Sequence, residues 1–348
     1  MPSMANQAMI ELRATNWNHV RGIAPLAAAA QVFSDRNPGV RIEVVPHSAA
    51  QFGEGPLDAL TRDFDLVGFD HPLTGMAAQE GIFLPLDDHL PAEVLADRRQ
   101  NSVGLSYDSY VFDGKVWGLP LDAACIVSAS RPDLLARVPA TWDELLALAA
   151  EGRVAQGYSR MTTTAMFYML RHQGLDESSA IEALRQLYRL TGGAKRLTHG
   201  SIQVLEAAAS GEEIAFVPAC YGYSNYTRPG FAACPLVFHP TPFAPTGGAV
   251  LGGAGIAVSA ACKHPEVALR FLEWITGADC QTHIYAVCAG QPAHAAAWRA
   301  DLPNMLTGNF FRSTMAAMET AWVRPNTPEF HHIQSDLATK LHAALTAP

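Results

Sequence analysis

Charge is scarce in this sequence. Only 16% of its 348 residues are Asp, Glu, Lys or Arg, and four lysines are scattered among the 24 bases. The 33 acidic residues outnumber those bases and leave a formal charge of −9. Binding to a phosphate backbone needs clustered cations, so nucleic acid is excluded as a partner. A long uninterrupted apolar run is missing too. The stretch from Phe231 to Cys262 carries no formal charge, but Pro235, Pro240, Pro242 and Pro245 break it. A membrane span needs about 20 mainly apolar residues in one helix, so no membrane insertion is expected. The six cysteines form no C-x-x-C pair, which removes zinc knuckles and dithiol redox motifs. Nor is there a G-x-S-x-G elbow, an H-E-x-x-H helix, a Walker loop or a G-x-G-x-x-G fingerprint. No metal site and no cofactor is expected.

The start of the chain lacks the features of a leader. Met1–Gln7 is short and polar, with neither a basic n-region nor an apolar stretch. As written, the chain reads as cytoplasmic, and six thiols suit a reducing compartment; if a signal peptide was removed, it reads as periplasmic. What is abundant is apolar surface. At 49% hydrophobic residues the chain can bury a core, which excludes disorder, and its length suggests two domains at roughly 100–200 residues each.

Strand and helix alternate over the first hundred residues. Ile10–Thr15 reads as a strand and Gly22–Arg36 as an Ala-rich helix. Asn37-Pro38-Gly39 is a turn, and Val40–Val45 alternates as a second strand should. Phe64–Phe69 has the length of a buried parallel strand. Strand–helix–strand order at this spacing argues an α/β layer with right-handed crossovers. Beyond Leu121 the pattern becomes helix-rich. Thr141 with Glu144 three residues later marks a helix start, and strands return at Glu213–Val217 and Gly253–Ser259.

Several segments, in order, resemble the extracellular solute-binding proteins of ABC importers, of the sugar-binding, maltose-binding-protein-like type. They are Phe33…Asn37-Pro38-Gly39-Val40, Gly81-Ile82-Phe83-Leu84-Pro85-Leu86-Asp87-Asp88, Asp113-Gly114-Lys115-Val116-Trp117-Gly118-Leu119-Pro120-Leu121, Pro139-Ala140-Thr141-Trp142-Asp143-Glu144-Leu145 and Gly252–Ser259 with Lys263–Leu272. The resemblance implies an α/β, two-lobed periplasmic-binding-protein fold of type II, with a ligand cleft between lobes joined by a two-crossover hinge. It places one lobe at 1–119 and 251–300 and the other at 120–250 and 301–348. It also implies a function: capture of a small polar, carbohydrate-like solute by hinge closure, with an ABC permease as partner if the protein is exported. A monomer is expected.

Ligands of open α/β sheets sit beyond the carboxyl ends of strands, which selects the candidate site residues. After strand one come Trp17, Asn18 and His19. Trp17 either stacks on a sugar face or packs under the first helix, and Asn18 either hydrogen-bonds hydroxyls or caps that helix. Asp70 and His71 follow strand three, where Asp70 is either a hydroxyl acceptor or a cap before Pro72. Asp122 follows the crossover strand, and a carboxylate there is seldom buried for packing alone. Tyr221 and Tyr223 offer a stacking wall after the strand ending at Val217, with Tyr226 at the surface. Thr163 offers a hydroxyl, and Gly253 a close backbone approach or a hinge. The alternative function is a cytoplasmic enzyme on the same fold, acting on a small polar metabolite with His19, His71 and Asp122 as acid–base groups and Cys220 as nucleophile.

Overall fold

The computed structural model describes residues 9–47, 57–245 and 247–347; the Met1–Gln7 start lies outside them. The chain divides into two compact units. Unit 1 comprises Met1–Ala123, Gly253–Pro303 and Pro325–Pro328, and unit 2 comprises Ala124–Gly252, Asn304–Arg324 and Glu329–Pro348. Nine strands are used below: β1 Ile10–Trp17, β2 Val40–His47, β3 Leu66–Phe69, β4 Val111–Phe112, β5 Lys115–Val116, β6 Leu119–Ser130, β7 Phe216–Tyr221, β8 Val237–His239 and β9 Leu251–Val258. β6 carries the chain out of unit 1 and β9 brings it back.

In unit 1 the strand order is β2-β1-β3-β9. β1 is parallel to β2 along its whole length, from Ile10 opposite Val40 to Trp17 opposite His47, and parallel to β3 at Ala14 and Thr15. β9 runs antiparallel to β3, with Phe69 opposite Gly255. Helix α1, Val20–Arg36, covers this sheet and buries Leu26, Ala29, Ala30 and Phe33. It ends where Asn37 turns back to donate from Nδ2 to the Phe33 carbonyl at 2.8 Å, before Gly39 at φ +93°. Phe33 meets Phe271 edge-on at 5.2 Å from the helix Pro265–Ile275. Leu12, Ile42, Leu66, Leu121, Val258 and Leu272 fill the space between. β4 and β5 form a separate hairpin.

Unit 2 is helix-rich. β6 is flanked by antiparallel β7 and β8, and helices Trp142–Ala150, Arg160–His172, Glu177–Leu190, Ser201–Ala209 and Phe330–Thr346 surround them. The helix start read at Thr141 is present: its side chain accepts from the Glu144 N–H at 3.2 Å, while Glu144 accepts from the Ala140 N–H at 2.8 Å. β7 departs from the reading. It spans Phe216–Tyr221 rather than 213–217, because Pro218 does not end it. The ladder with β6 shifts register between Val127 and Ala129, and Pro218, having no N–H to offer, sits at that irregularity. The helix Arg160–His172 begins behind Ser159, whose hydroxyl accepts from the Thr162 N–H at 3.3 Å.

Gly253 has φ +125°, and a Cβ there would lie 2.2 Å from the Asp122 carbonyl oxygen and 2.9 Å from the Ala123 Cα. Neither the backbone angle nor the space admits another residue. Gly253→Ala is therefore expected to lower unfolding free energy by at least about 2 kcal/mol, read from urea denaturation, whereas Gly39→Ala, with open space around its Cβ position, loses only the strain of its positive φ.

Candidate functional site

The parallel strands β1, β2 and β3 end together on one edge of unit 1, and the polar residues there fall into two groups. The first is made of neutral imidazoles. His19 is the N-cap of α1: its Nδ1 accepts from the Arg21 N–H at 3.1 Å, so the cap is His19 and not Asn18. Accepting at Nδ1 leaves the ring proton on Nε2. Burial, reinforced by the Arg21 charge, lowers the His19 pKa to about 4. His47, at the end of β2, has the opposite tautomer. The Thr15 hydroxyl donates to the Val45 carbonyl at 2.7 Å and so receives the His47 Nδ1–H at 2.9 Å, which leaves Nε2 as an acceptor. Burial lowers this pKa to about 4 as well. The ring proton is thus on Nε2 in His19 and on Nδ1 in the buried His47, and the amide of Asn18 beside them is exposed.

The second group is charged and enclosed. Asp122 has a side chain 0% exposed and is held bidentately by Arg21, with Nε donating to Oδ2 at 3.0 Å and Nη2 to Oδ1. Burial pushes its carboxyl up, and the Arg21 guanidinium pulls the other way. Asp122 is therefore corrected from a ligand-facing acid to one half of a buried ion pair. In unit 2, Arg131 is engaged with Asp133 at 2.6 Å and Arg160 with the Ser335 carbonyl at 2.6 Å.

Trp17 closes β1 rather than following it and is 6% exposed. Its indole lies under the first turn of α1, where a Cβ on Gly22 would come within 2.8 Å of the ring, and the Arg21 guanidinium sits 5.8 Å from its centroid. Of the two readings for Trp17, the structure shows packing beneath the helix. Asp70 and His71 are both buried, with Oδ1 and Nδ1 3.3 Å apart. Asp70 makes no side-chain cap to the short helix that begins at His71, so its capping alternative falls.

In unit 2, Tyr221 is the last residue of β7. Its N–H donates to the Ser201 hydroxyl at 2.8 Å, and its ring lies on Gly252, where a Cβ would be 2.4 Å away. Tyr221 and Tyr223 stay partly exposed, whereas Tyr226 is 3% exposed beneath Phe231 and is corrected from surface to core. Thr163 is also corrected. It is fully buried, and its hydroxyl donates to the Tyr158 carbonyl at 2.9 Å, so it presents nothing to a ligand. Cys220 fares the same way as a nucleophile: it is 0% exposed, its thiol faces the Val127 carbonyl at 3.5 Å, and burial pushes its pKa up, away from the reactive thiolate. All six cysteines are free thiols. No group of three His, Cys, Asp or Glu side chains among the described residues could hold a metal ion.

His47 was not selected from the sequence. The available signal was Val40–Val45 extended by two residues, which places His47 opposite Trp17.

Two α/β units between which the chain passes on β6 and β9, and again after Pro303, Arg324 and Pro328, with polar residues gathered at strand ends, have the organisation of a two-lobed binding protein of the periplasmic type. The profile of the bacterial extracellular solute-binding proteins matches residues 16–282. The chain belongs to that family. No curated protein matches the sequence. Among solved structures it is similar to maltose-bound MalE3 of T. maritima, at TM-score 0.81 and 19% identity over 97% of this chain and 95% of that one. It is also similar to an ABC-transporter solute-binding protein of Agrobacterium radiobacter K84 in complex with ribitol, at 0.80 and 19% over 98% and 94%. A third is one from Thermotoga lettingae bound to α-D-tagatose, at 0.80 and 16% over 97% and 94%. At these identities the likeness is one of fold.

Both imidazole pKa values are depressed, so the unfolded chain binds protons that the native state does not. Stability from His19 and His47 is then fully present above pH 6.5 and declines as pH falls toward 4, by at most about 1.4 kcal/mol per pH unit for each ring. Tm measured from pH 7 to 4 should fall across this window, and less steeply in His47→Gln.

Proposed function

We propose that this protein captures a small, neutral, polyhydroxylated solute of the sugar or polyol class by hinge closure and delivers it to an ABC permease as an exported, monomeric binding protein. The observation that carries the ligand class is the electrostatic state of the unit 1 edge. His19 and His47 are neutral, one donating and one accepting, and Asn18 can do both. At this edge Arg21 is already held by Asp122, and in unit 2 Arg131 and Arg160 are held by Asp133 and Ser335. Neutral groups of this kind suit hydroxyls, which donate and accept together. Tyr221 and Tyr223 supply the aromatic faces on which a sugar ring packs. Relatives of the same fold bind maltose, ribitol and tagatose, which supports this class without choosing within it. Family membership supports the permease partner and export, and among the described residues no helix is long and apolar enough to cross a membrane.

The test is a thermal-shift screen with maltose, ribitol, D-mannitol and D-tagatose against sugar acids and amino acids, followed by mass spectrometry of each recovered hit. A ligand at 100 times its Kd adds about 2.7 kcal/mol, or a rise of roughly 2–4 °C per kcal/mol at this domain size. Neutral sugars or polyols should produce the shift and be recovered unchanged. A shift confined to carboxylates, or a hit that is consumed, overturns the reading. With a ligand in hand, Tyr221→Ala and His47→Leu should each weaken Kd at least about tenfold, or 1.4 kcal/mol, by isothermal titration.

A further inference from the structure

Three consecutive residues of β6 are gripped by polar side chains of unit 1. The Leu121 carbonyl accepts from Gln281 Nε2 at 3.2 Å, the Asp122 carboxylate is held by Arg21, and Ala123 is bracketed by Gln291. There the Ala123 N–H donates to the Gln291 carbonyl at 3.0 Å, and Gln291 Nε2 donates to the Ala123 carbonyl at 2.8 Å. All three side chains are buried. Gln281 is fixed in turn: its Oε1 accepts from the Ala293 N–H at 2.7 Å and its Nε2 also donates to the Ile275 carbonyl at 3.1 Å. It opens a π-helical turn, Gln281–Tyr285, the rare geometry that often marks a functional position.

The partners then change. Beyond Ala124 the strand is held by unit 2: the Cys125 carbonyl accepts from the Gly222 N–H at 3.2 Å, and the Ile126 N–H donates to the Val250 carbonyl at 3.0 Å. The boundary between the compact units falls at the same place, between Ala123 and Ala124. On the returning strand it falls between Gly252 and Gly253, and Gly253 lies with its Cβ position against the Asp122 carbonyl.

From these coincidences we propose that Arg21–Asp122, with Gln281 and Gln291, forms a polar clamp that fixes the unit 1 side of the hinge and so sets its pivot at Ala123–Ala124 and Gly252–Gly253. Arg21 and Asp122 are positioning residues. A hinge moves where a few residues absorb the φ/ψ change, and bending here is confined by anchoring Leu121, Asp122 and Ala123. An apolar core would stabilise the strand equally well, because replacing a buried ion pair by well-packed hydrophobic residues is often neutral or stabilising. What the pair adds is direction: a bidentate guanidinium admits one orientation of its carboxylate.

That difference gives the test. Hydrogen–deuterium exchange with peptide-level mass spectrometry is measured on the unliganded full chain for the wild type, Asp122→Asn and the double variant Arg21→Met/Asp122→Leu. The clamp predicts that the double variant, which leaves no buried charge unpaired, exchanges at least tenfold faster over peptides covering 119–126 and 251–256. Protection in α1 and in the helix Pro265–Ile275 is retained. Arg21→Lys, which keeps the charge but loses the fork, falls between and serves as the conservative variant if the double variant does not fold. Unchanged exchange at the crossovers overturns the proposal. So does a uniform loss of protection throughout unit 1, which would make the pair a general stabiliser. No ligand enters the measurement, so this outcome is independent of the solute screen.

Discussion

A carboxylate shut away from water must have a cation, and in unit 1 the requirement is met across 101 residues of chain by Arg21 and Asp122. Much of the local arrangement follows from that one pair. Arg21 can reach Asp122 only if the first turn of α1 sits over the end of β1, and that turn packs on Trp17 through the missing side chain of Gly22. The same turn is capped by His19, whose pKa is lowered by burial and by the nearby guanidinium. β9 passes close against the Asp122 backbone, an approach that Gly253 permits because it has no Cβ. Removing one charge would leave the other buried and unpaired, a loss of about 3–5 kcal/mol, so the pair is a strong local constraint even where its net stabilisation is small.

The consequence for binding is a division of labour between charged and neutral groups. The Arg21 and Asp122 charges are consumed by each other, and the two imidazoles near them, His19 and His47, are uncharged. The two imidazoles differ in tautomer for a local reason: a helix N–H occupies Nδ1 of His19, and a threonine hydroxyl already donating elsewhere takes the Nδ1 proton of His47. The arrangement favours a solute whose own groups switch between donating and accepting, as hydroxyls do, over one with a fixed formal charge.

Much of the fold was legible because its signals are local. The N-P-G turn, the Thr141–Glu144 helix start and the buried strand at Leu66–Phe69 each depend on neighbours within a few residues. The errors share a cause. The strands read as Val40–Val45 and Glu213–Val217 each stop one residue before a proline, yet β2 is an edge strand that tolerates Pro46, and Pro218 sits at a register shift. Ending strand two early hid His47; ending β7 early displaced Tyr221 from strand to loop. The Arg21–Asp122 pair was illegible for another reason. Asp122 was correctly seen as hard to bury alone, but its partner lies 101 residues away, and only the folded chain brings the two together. Thr163 failed similarly, since nothing in a run of three threonines says which hydroxyl its own helix will take.

The enzyme alternative weakens on the same physical grounds. It asked His19, His71 and Asp122 to move protons and Cys220 to attack. A thiol pushed up by complete burial is a poor source of thiolate, and a carboxylate held at both oxygens by one guanidinium is not placed to accept a substrate proton. His71 is 1% exposed beside Asp70. His19 does reach the surface, but its Nδ1 is occupied by a helix N–H and only a protonated Nε2 is presented, which makes it a hydrogen-bond donor rather than a base. Asp122, His71 and Cys220, three of the four groups that alternative names, are thus built into the packed interior of the fold.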